Sequence, residues 1–79
     1  KYLAVYLSKY NIRCNCISPG GIYFKQGNGF IENYSKKVPM GRMCNVNEIV
    51  GSVKFLLDSK SSSYVNGANI NVDGGFTSW

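Results

Sequence analysis

The sequence predicts an α/β fold in which two parallel strands are joined by a helix. Residues 12–18 and 68–72 alternate in the way that a strand with two different faces requires. Between them, Val46–Leu57 carries apolar residues at helical spacing and follows a helix-capping sequence. A strand–helix–strand connection of this length is typical of a right-handed crossover between parallel strands. The predicted order is helix, strand, lid-like loop, helix, strand.

The first element is predicted to be an amphipathic helix over residues 1–10. Its apolar stripe follows the i, i+3, i+4, i+7 spacing and consists of Leu3, Tyr6, Leu7 and Tyr10. Asn11 is suited to a left-handed position that ends a helix. An aromatic stripe of this kind favours a core or oligomer contact over a ligand site.

The first strand ends at the corner Pro19-Gly20-Gly21. Pro19 cannot donate a ladder hydrogen bond, and the two glycines can adopt backbone angles closed to other residues. Ligands of open parallel sheets bind just beyond the carboxyl ends of the strands, so this corner is a candidate binding site. The alternative is an ordinary turn from strand to loop, because proline and glycine interrupt many loops.

The segment over residues 23–38 has no clean period, and Gly27-Asn28-Gly29 interrupts it early. A short helical segment is predicted around Ile31. A long irregular insert in a compact domain is typical of a lid or binding loop. The segment contains the aromatic residues Phe24, Phe30 and Tyr34. Two alternatives remain for them: they cover a substrate pocket, or they pack the segment onto the core.

The second half of the chain has clearer signals. Asn45 and Glu48 have the spacing of a capping box, with Asn47 as the alternative cap, and Asp58 ends the helix that follows. One broad apolar face is predicted for this helix, made of Val46, Ile49, Val50, Val53, Leu56 and Leu57. The last strand is predicted to follow a turn at Asn66-Gly67 and to end at Gly74-Gly75.

Composition narrows the possible partners and compartments. The chain has 79 residues, a net charge of +5 and 44% hydrophobic residues, which is typical of one small globular unit. The basic residues are spread along the chain, which indicates a solvated surface and no nucleic-acid partner. No apolar run approaches the roughly 20 residues of a membrane span, so we expect no membrane partner. The absence of histidine argues against a metal site. The three cysteines, Cys14, Cys16 and Cys44, are predicted to be reduced thiols in the cytoplasm.

Five groups of motifs occur in the order and at the spacing of the short-chain dehydrogenase/reductase family. They are Leu3-Ala4 leading into Ile12-Arg13-Cys14-Asn15; Ile17-Ser18-Pro19-Gly20-Gly21-Ile22; Pro39-Met40-Gly41-Arg42; Asn47-Glu48-Ile49 with Val53-Lys54-Phe55-Leu56-Leu57; and Tyr64-Val65-Asn66-Gly67 with Ile70-Asn71-Val72-Asp73-Gly74-Gly75. The chain therefore resembles the C-terminal part of this family. Within the family it is most similar to reductases of the 3-oxoacyl-carrier-protein and sugar-modifying kind.

The resemblance implies that residues 1–79 are the C-terminal portion of a single Rossmann-type domain, a doubly wound parallel sheet. It also implies an oxidoreductase that transfers hydride between NAD or NADP and a small-molecule alcohol or carbonyl substrate. The helix that opens the chain is consistent with a missing beginning. The family's dinucleotide-binding loop, catalytic serine and Tyr-x-x-x-Lys pair would all lie upstream of Lys1. We therefore expect no catalytic residue in this chain and no activity from it alone.

By the same resemblance, the cofactor-binding residues are Pro19, Gly20, Gly21 and Ile22, which border the nicotinamide ring. The family usually has a threonine two residues after Ile22, where this chain has Phe24. The family also implies a homo-oligomer formed through the Val46–Leu57 helix and the last strand. The alternative function is a non-catalytic scaffold or interaction module with the same fold.

Overall fold

The computed structural model describes all residues from 1 to 79. Its elements in chain order are helix α1 (Tyr2–Ser8), strand β1 (Cys16–Pro19), helix α2 (Asn28–Ser35), helix α3 (Val46–Leu57), strand β2 (Asn69–Val72) and a 3-10 helix (Phe76–Ser78).

The two strands form a parallel pair, in which Cys16 lies opposite Asn69 and Pro19 lies opposite Val72. Helix α3 lies between the strands in sequence and packs against both of them. The predicted α/β arrangement, with two adjacent parallel strands and a connecting helix, is thereby confirmed. Because both strands run the same way, their carboxyl ends meet at one edge of the sheet.

Strand β1 begins later than the sequence predicts, and residues 12–15 lie outside it. The reason is that asparagine side chains take the place of ladder hydrogen bonds here. The backbone N–H of Cys14 donates to Asn66 Oδ1 at 2.9 Å, and the backbone N–H of Ala68 donates to Asn15 Oδ1 at 3.0 Å. The two segments therefore run side by side before regular pairing starts at Cys16.

Helix α1 is also shorter than predicted, although Asn11 does adopt the predicted left-handed conformation with φ of 61°. The predicted aromatic stripe does not form part of a core in this structure. Tyr6 is 44% exposed and Tyr10 is 56% exposed, whereas Ala4 is the one buried residue of the helix. These tyrosines pack against each other on the surface.

Helix α3 begins with the predicted capping box, in which the backbone N–H of Asn45 donates to the Glu48 carboxylate at 2.9 Å. The single apolar face that the sequence predicts is divided in two. Ile49 and Leu56 are half-buried on one side. The remaining apolar positions form an exposed row, which we call the α3 stripe: Val46, Val50, Val53 and Leu57.

Four residues are buried in this chain, namely Ala4, Val38, Met43 and Ser62. Ser62 is completely inaccessible, and its hydroxyl hydrogen is shared between the Leu56 and Asp58 carbonyls near the end of α3. The chain is elongated, with extents of 49 × 23 × 16 Å. Much of its apolar surface is therefore uncovered, and one recess lies where the two strands end.

Candidate functional site

The candidate site is the corner that follows β1, at the edge where both strands end. Pro19 is the last residue of β1, and the backbone N–H of Gly20 donates to the Val72 carbonyl at 2.9 Å. A cavity of about 310 Å³ opens beside this corner. Gly20 and Gly21 line it together with Asp73 from the end of β2, while Pro19 and Ile22 lie outside its lining.

The two glycines of the corner are required for a different reason from the one that the sequence suggests. Neither Gly20 nor Gly21 has a positive φ, so the expectation of unusual backbone angles is wrong. Each glycine is instead closely covered on one side. A Cβ on Gly20 would lie 2.9 Å from the Asp73 Cα, and a Cβ on Gly21 would lie 2.6 Å from the Tyr34 Cζ. The missing side chains allow this close packing.

Backbone donors of the corner are almost all satisfied within the chain, and Ile22 is the exception. Its N–H makes no hydrogen bond. Its neighbours donate as follows: Gly21 to the Tyr34 hydroxyl at 2.6 Å, Tyr23 to the Cys44 carbonyl at 2.8 Å, and Phe24 to Gln26 Oε1 at 2.9 Å. The corner therefore presents a single unpaired backbone donor.

The direction of this free donor is fixed by the groups around it. The Cys44 N–H donates to the Gly21 carbonyl at 2.8 Å. Since the C=O and N–H of a trans peptide point in opposite directions, the Ile22 N–H points away from Cys44. The carbonyl of Ile22 accepts a hydrogen bond from Gln26 Nε2 at 2.8 Å, which holds the following peptide as well.

Gln26 is a residue of the site that sequence reasoning missed. Its side-chain amide bonds both the Ile22 carbonyl and the Phe24 N–H, and so closes the turn after the corner. The Phe24 side chain is 74% exposed. No periodicity or spacing marks Gln26 in the sequence. Its position depends on the left-handed conformation of Lys25, which has φ of 69°.

Two of the charged residues beside the cavity, Arg42 and Glu48, form an ion pair. Arg42 donates to both carboxylate oxygens of Glu48, at 2.8 and 2.9 Å. The hydrogen bond from Arg42, and then that from the Asn45 backbone, lowers the pKa of Glu48 from 4.5 to about 2. Burial raises the pKa of the Cys44 thiol above its ordinary value, so this cysteine stays protonated. Neither Arg42 nor Cys44 is thus arranged as a nucleophile or base.

No group of three or more acidic, cysteine or histidine side chains is arranged to hold a metal ion. None of the helices combines the length and the apolar character that a bilayer crossing requires.

Comparison with known proteins identifies the family of the chain. Residues 1–77 match the family model described as enoyl-(acyl carrier protein) reductase. The chain is 43% identical to the NADH-dependent L-xylulose reductase of Ambrosiozyma monospora, covering 100% of this chain and 32% of that protein. It is 40% identical to the ribulose-forming D-arabinitol 2-dehydrogenase of Scheffersomyces stipitis, covering 98% of this chain and 30% of that protein.

Among solved structures, the fold matches the short-chain dehydrogenase of Leptospira borgpetersenii with bound NAD⁺ at a TM-score of 0.88 and 55% identity. The match covers 96% of this chain and 30% of that one. The chain thus spans about a third of the length of the proteins that it matches. The similarity extends over nearly every residue and agrees with the family indicated by the motifs and the parallel crossover. The chain belongs to the short-chain dehydrogenase/reductase family.

Proposed function

We propose that these 79 residues form the C-terminal portion of a single Rossmann-type domain in a longer NAD- or NADP-dependent oxidoreductase. The longer enzyme transfers hydride between the nicotinamide cofactor and a small-molecule alcohol or carbonyl compound. Family membership supports this proposal, as do the relatives named for the reduction or oxidation of sugars and sugar alcohols. The NAD⁺ bound in a solved structure of the same fold supports the choice of cofactor.

The observation that carries the proposal is the unpaired N–H of Ile22 at the corner beyond β1. The carboxamide of a nicotinamide ring offers a carbonyl oxygen that such a donor can bind. A backbone donor held by its neighbours holds a ring in one orientation with little loss of entropy on binding. The residues present therefore fit a nicotinamide at this position.

In this proposal the wall of the nicotinamide site is formed by Pro19, Gly20, Gly21 and Ile22. Ile22 supplies the donor, and the exposed Pro19 supplies apolar surface next to it. Gly20 and Gly21 are the part of the wall that is covered from behind, by Asp73 and Tyr34. When bound, the cofactor supplies or accepts the hydride, while this corner orients it.

Proton transfer is assigned to residues outside these 79. The family's Tyr-x-x-x-Lys pair has no match in the chain, because no tyrosine is followed four residues later by a lysine. A positioned acid or base contributes roughly 10²–10⁴ in rate. We therefore expect no turnover from these residues alone, and nicotinamide-dependent turnover from the longer protein.

Hydrogen exchange in the longer protein tests the proposed site directly. The Ile22 amide has no partner, so it should exchange rapidly without cofactor and become protected when NAD⁺ or NADH is added. The neighbouring Tyr23 amide, which is bonded to Cys44, should be protected in both conditions and serves as the internal control. An Ile22 amide that stays unprotected at saturating NADH and NADPH would remove this corner from the site.

Activity assays distinguish the two functional alternatives. Consumption of NADH or NADPH with ketoses, or with a 3-oxoacyl thioester, would support the enzyme. Cofactor binding without turnover on either class would support the non-catalytic scaffold. Phe24 stands where the family has a threonine, which is the feature of this chain that favours that second candidate.

The proposal includes a homo-oligomer formed through α3 and β2. The α3 stripe supports it, since these four apolar side chains are 39–76% exposed. Strand β2 also pairs on one side only, which leaves its other edge available for backbone pairing. A cytoplasmic location is proposed as well and is supported by three unpaired cysteines, which are typical of a reducing compartment.

A further inference from the structure

Helix α2 contacts the corner through Tyr34. The hydroxyl oxygen of Tyr34 accepts the Gly21 N–H at 2.6 Å, and its ring lies directly over Gly21. The hydroxyl thus satisfies a partly buried backbone donor that has no other partner. The segment predicted as a lid is therefore bonded to the proposed cofactor wall.

The C-terminal tail holds Tyr34 in this place. The Phe76 ring stacks on the Tyr34 ring, with centroids 5.7 Å apart and planes 13° from parallel. Trp79 Nε1 donates to the Lys37 carbonyl just after α2, at 2.7 Å. The tail is itself anchored by Asp73, whose carboxylate accepts hydrogen bonds from the Gly75 and Thr77 backbone N–H groups. Asp73 also packs against Gly20. The tail, helix α2 and the corner therefore form a closed ring of contacts.

We propose that Tyr34 is a positioning residue for the cofactor site, held in place by the tail residues Phe76 and Trp79. This inference rests on the proposed function. Tyr34 fixes the N–H of Gly21, and Cys44 fixes the carbonyl of Gly21. Together they restrain both dihedral angles of the glycine that precedes the free Ile22 donor.

Removal of the Tyr34 hydroxyl should therefore affect cofactor binding indirectly, through the orientation of the Ile22 N–H. Glycine has no side chain to limit its backbone, so an unbonded Gly21 samples more conformations than most residues would. The Ile22 N–H then points in the binding direction for a smaller fraction of the time. The apparent affinity for the nicotinamide falls by that fraction.

The test compares Tyr34→Phe with Ser35→Ala in the longer protein. Tyr34→Phe keeps the ring and its stacking but removes the hydroxyl. Ser35→Ala removes a neighbouring hydroxyl whose hydrogen bond, to the Ile31 carbonyl at 2.6 Å, stays within the helix. We expect Tyr34→Phe to weaken NADH or NADPH binding about three- to tenfold by calorimetry, as the loss of one hydrogen bond predicts. Ser35→Ala should change it less than about twofold.

Amide exchange of the cofactor-free protein gives an independent readout. The Gly21 amide should exchange faster in Tyr34→Phe than in Ser35→Ala. Trp79→Phe, which removes the indole donor to the Lys37 carbonyl together with part of the ring, should weaken cofactor binding in the same direction by about twofold or more. This second variant also tests the proposal if Tyr34→Phe does not fold.

The outcomes separate this inference from the function on which it rests. If the unsubstituted protein binds neither NADH nor NADPH, the proposed function is overturned and the role of Tyr34 with it. If it binds them and Tyr34→Phe binds equally well, only the role of Tyr34 is overturned. Equal weakening by Tyr34→Phe and Ser35→Ala would also overturn it, since a general loosening of α2 would then explain both.

Discussion

Gly20 lies so close to Asp73 that a Cβ on Gly20 would be 2.9 Å from the Asp73 Cα. The two residues follow the ends of β1 and β2, and the Gly20 N–H also donates to the Val72 carbonyl. This contact joins the corner after the first strand to the turn after the second. The proposed cofactor wall and the anchor of the C-terminal tail are therefore parts of one packed unit.

We expect Gly20→Ala to destabilise the longer protein by about 1–3 kcal/mol, as overpacking against backbone does. The family resemblance implies that a larger residue at this position, as in Gly20→Val, weakens cofactor binding by crowding the nicotinamide ring. The structure shows that such a side chain first collides with Asp73, so instability should accompany any loss of affinity. Urea denaturation measures the change in the free energy of unfolding.

Gly29→Ala is the matched control for this substitution, because a Cβ on Gly29 would meet no atom within 4 Å. It should leave stability unchanged or slightly increased. A Gly20→Ala protein as stable as the Gly29→Ala protein would show that the corner can move away from Asp73.

The parts of this fold that the sequence predicts are those determined by local patterns. The capping box at Asn45 and the apolar spacing of α3 depend on neighbouring residues, and both are present in the structure. The late start of β1 was not predictable in this way. It depends on the Asn66 side chain bonding to Cys14, which lies 52 residues earlier in the chain.

The same distinction applies to the candidate site. The end of a strand at Pro19 can be located from the sequence, because proline and glycine interrupt the alternation. The unpaired state of the Ile22 N–H cannot be predicted from the sequence. It depends on Cys44 and Tyr34, which bond to the neighbouring groups of the corner only in the folded chain. The close packing of Gly21 under Tyr34 is a tertiary contact for the same reason, and no local pattern indicates it.

Gly51→Ala is expected to stabilise the protein by about 0.5–1 kcal/mol, because glycine in a helix interior loses more entropy on folding than alanine. Gly51 lies within α3, is exposed, and has open space where a Cβ would point. Thermal denaturation should show a higher midpoint. A lower midpoint would mean that this side of α3 is closely covered in the longer protein.

Stability should fall on acidification between about pH 4.5 and pH 2, in part because of Glu48. Its pKa is lowered from 4.5 to about 2, first by the hydrogen bond from Arg42. A carboxylate whose pKa is lower in the folded state than in the unfolded state stabilises the folded state. This stabilisation is complete at pH values above the pKa of the unfolded state. That contribution is lost as the pH falls through the folded value.

Denaturation midpoints of Glu48→Gln, measured from pH 7 to pH 2, test this contribution. The variant should be less stable at pH 7 and should lose less stability across the acidic window. Glu32→Gln is the control, since Glu32 lies 3.6 Å from Lys36 with both side chains about 70% exposed, and such pairs contribute little. Identical acid dependence in Glu48→Gln and the unsubstituted protein would contradict the role of the Arg42 pair.

Assembly of the longer protein should depend on the α3 stripe. Val53 lies in the middle of this row and is 39% exposed. Phe55 is 41% exposed but lies two residues further on, roughly 200° around the helix from Val53. Val53→Glu places a charge in the proposed contact, whereas Phe55→Glu places the same charge outside it. Burial of an unpaired charge is costly, so only the first variant should weaken association.

Sedimentation velocity over a range of protein concentrations measures the effect. We expect Val53→Glu to shift the protein towards a smaller species and to raise its dissociation constant about tenfold or more. Phe55→Glu should keep the assembly of the unsubstituted protein. If Val53→Glu leaves assembly unchanged, or if the two substitutions disrupt it equally, the contact does not lie on the α3 stripe. The exposed valines would then be covered by another part of the longer chain.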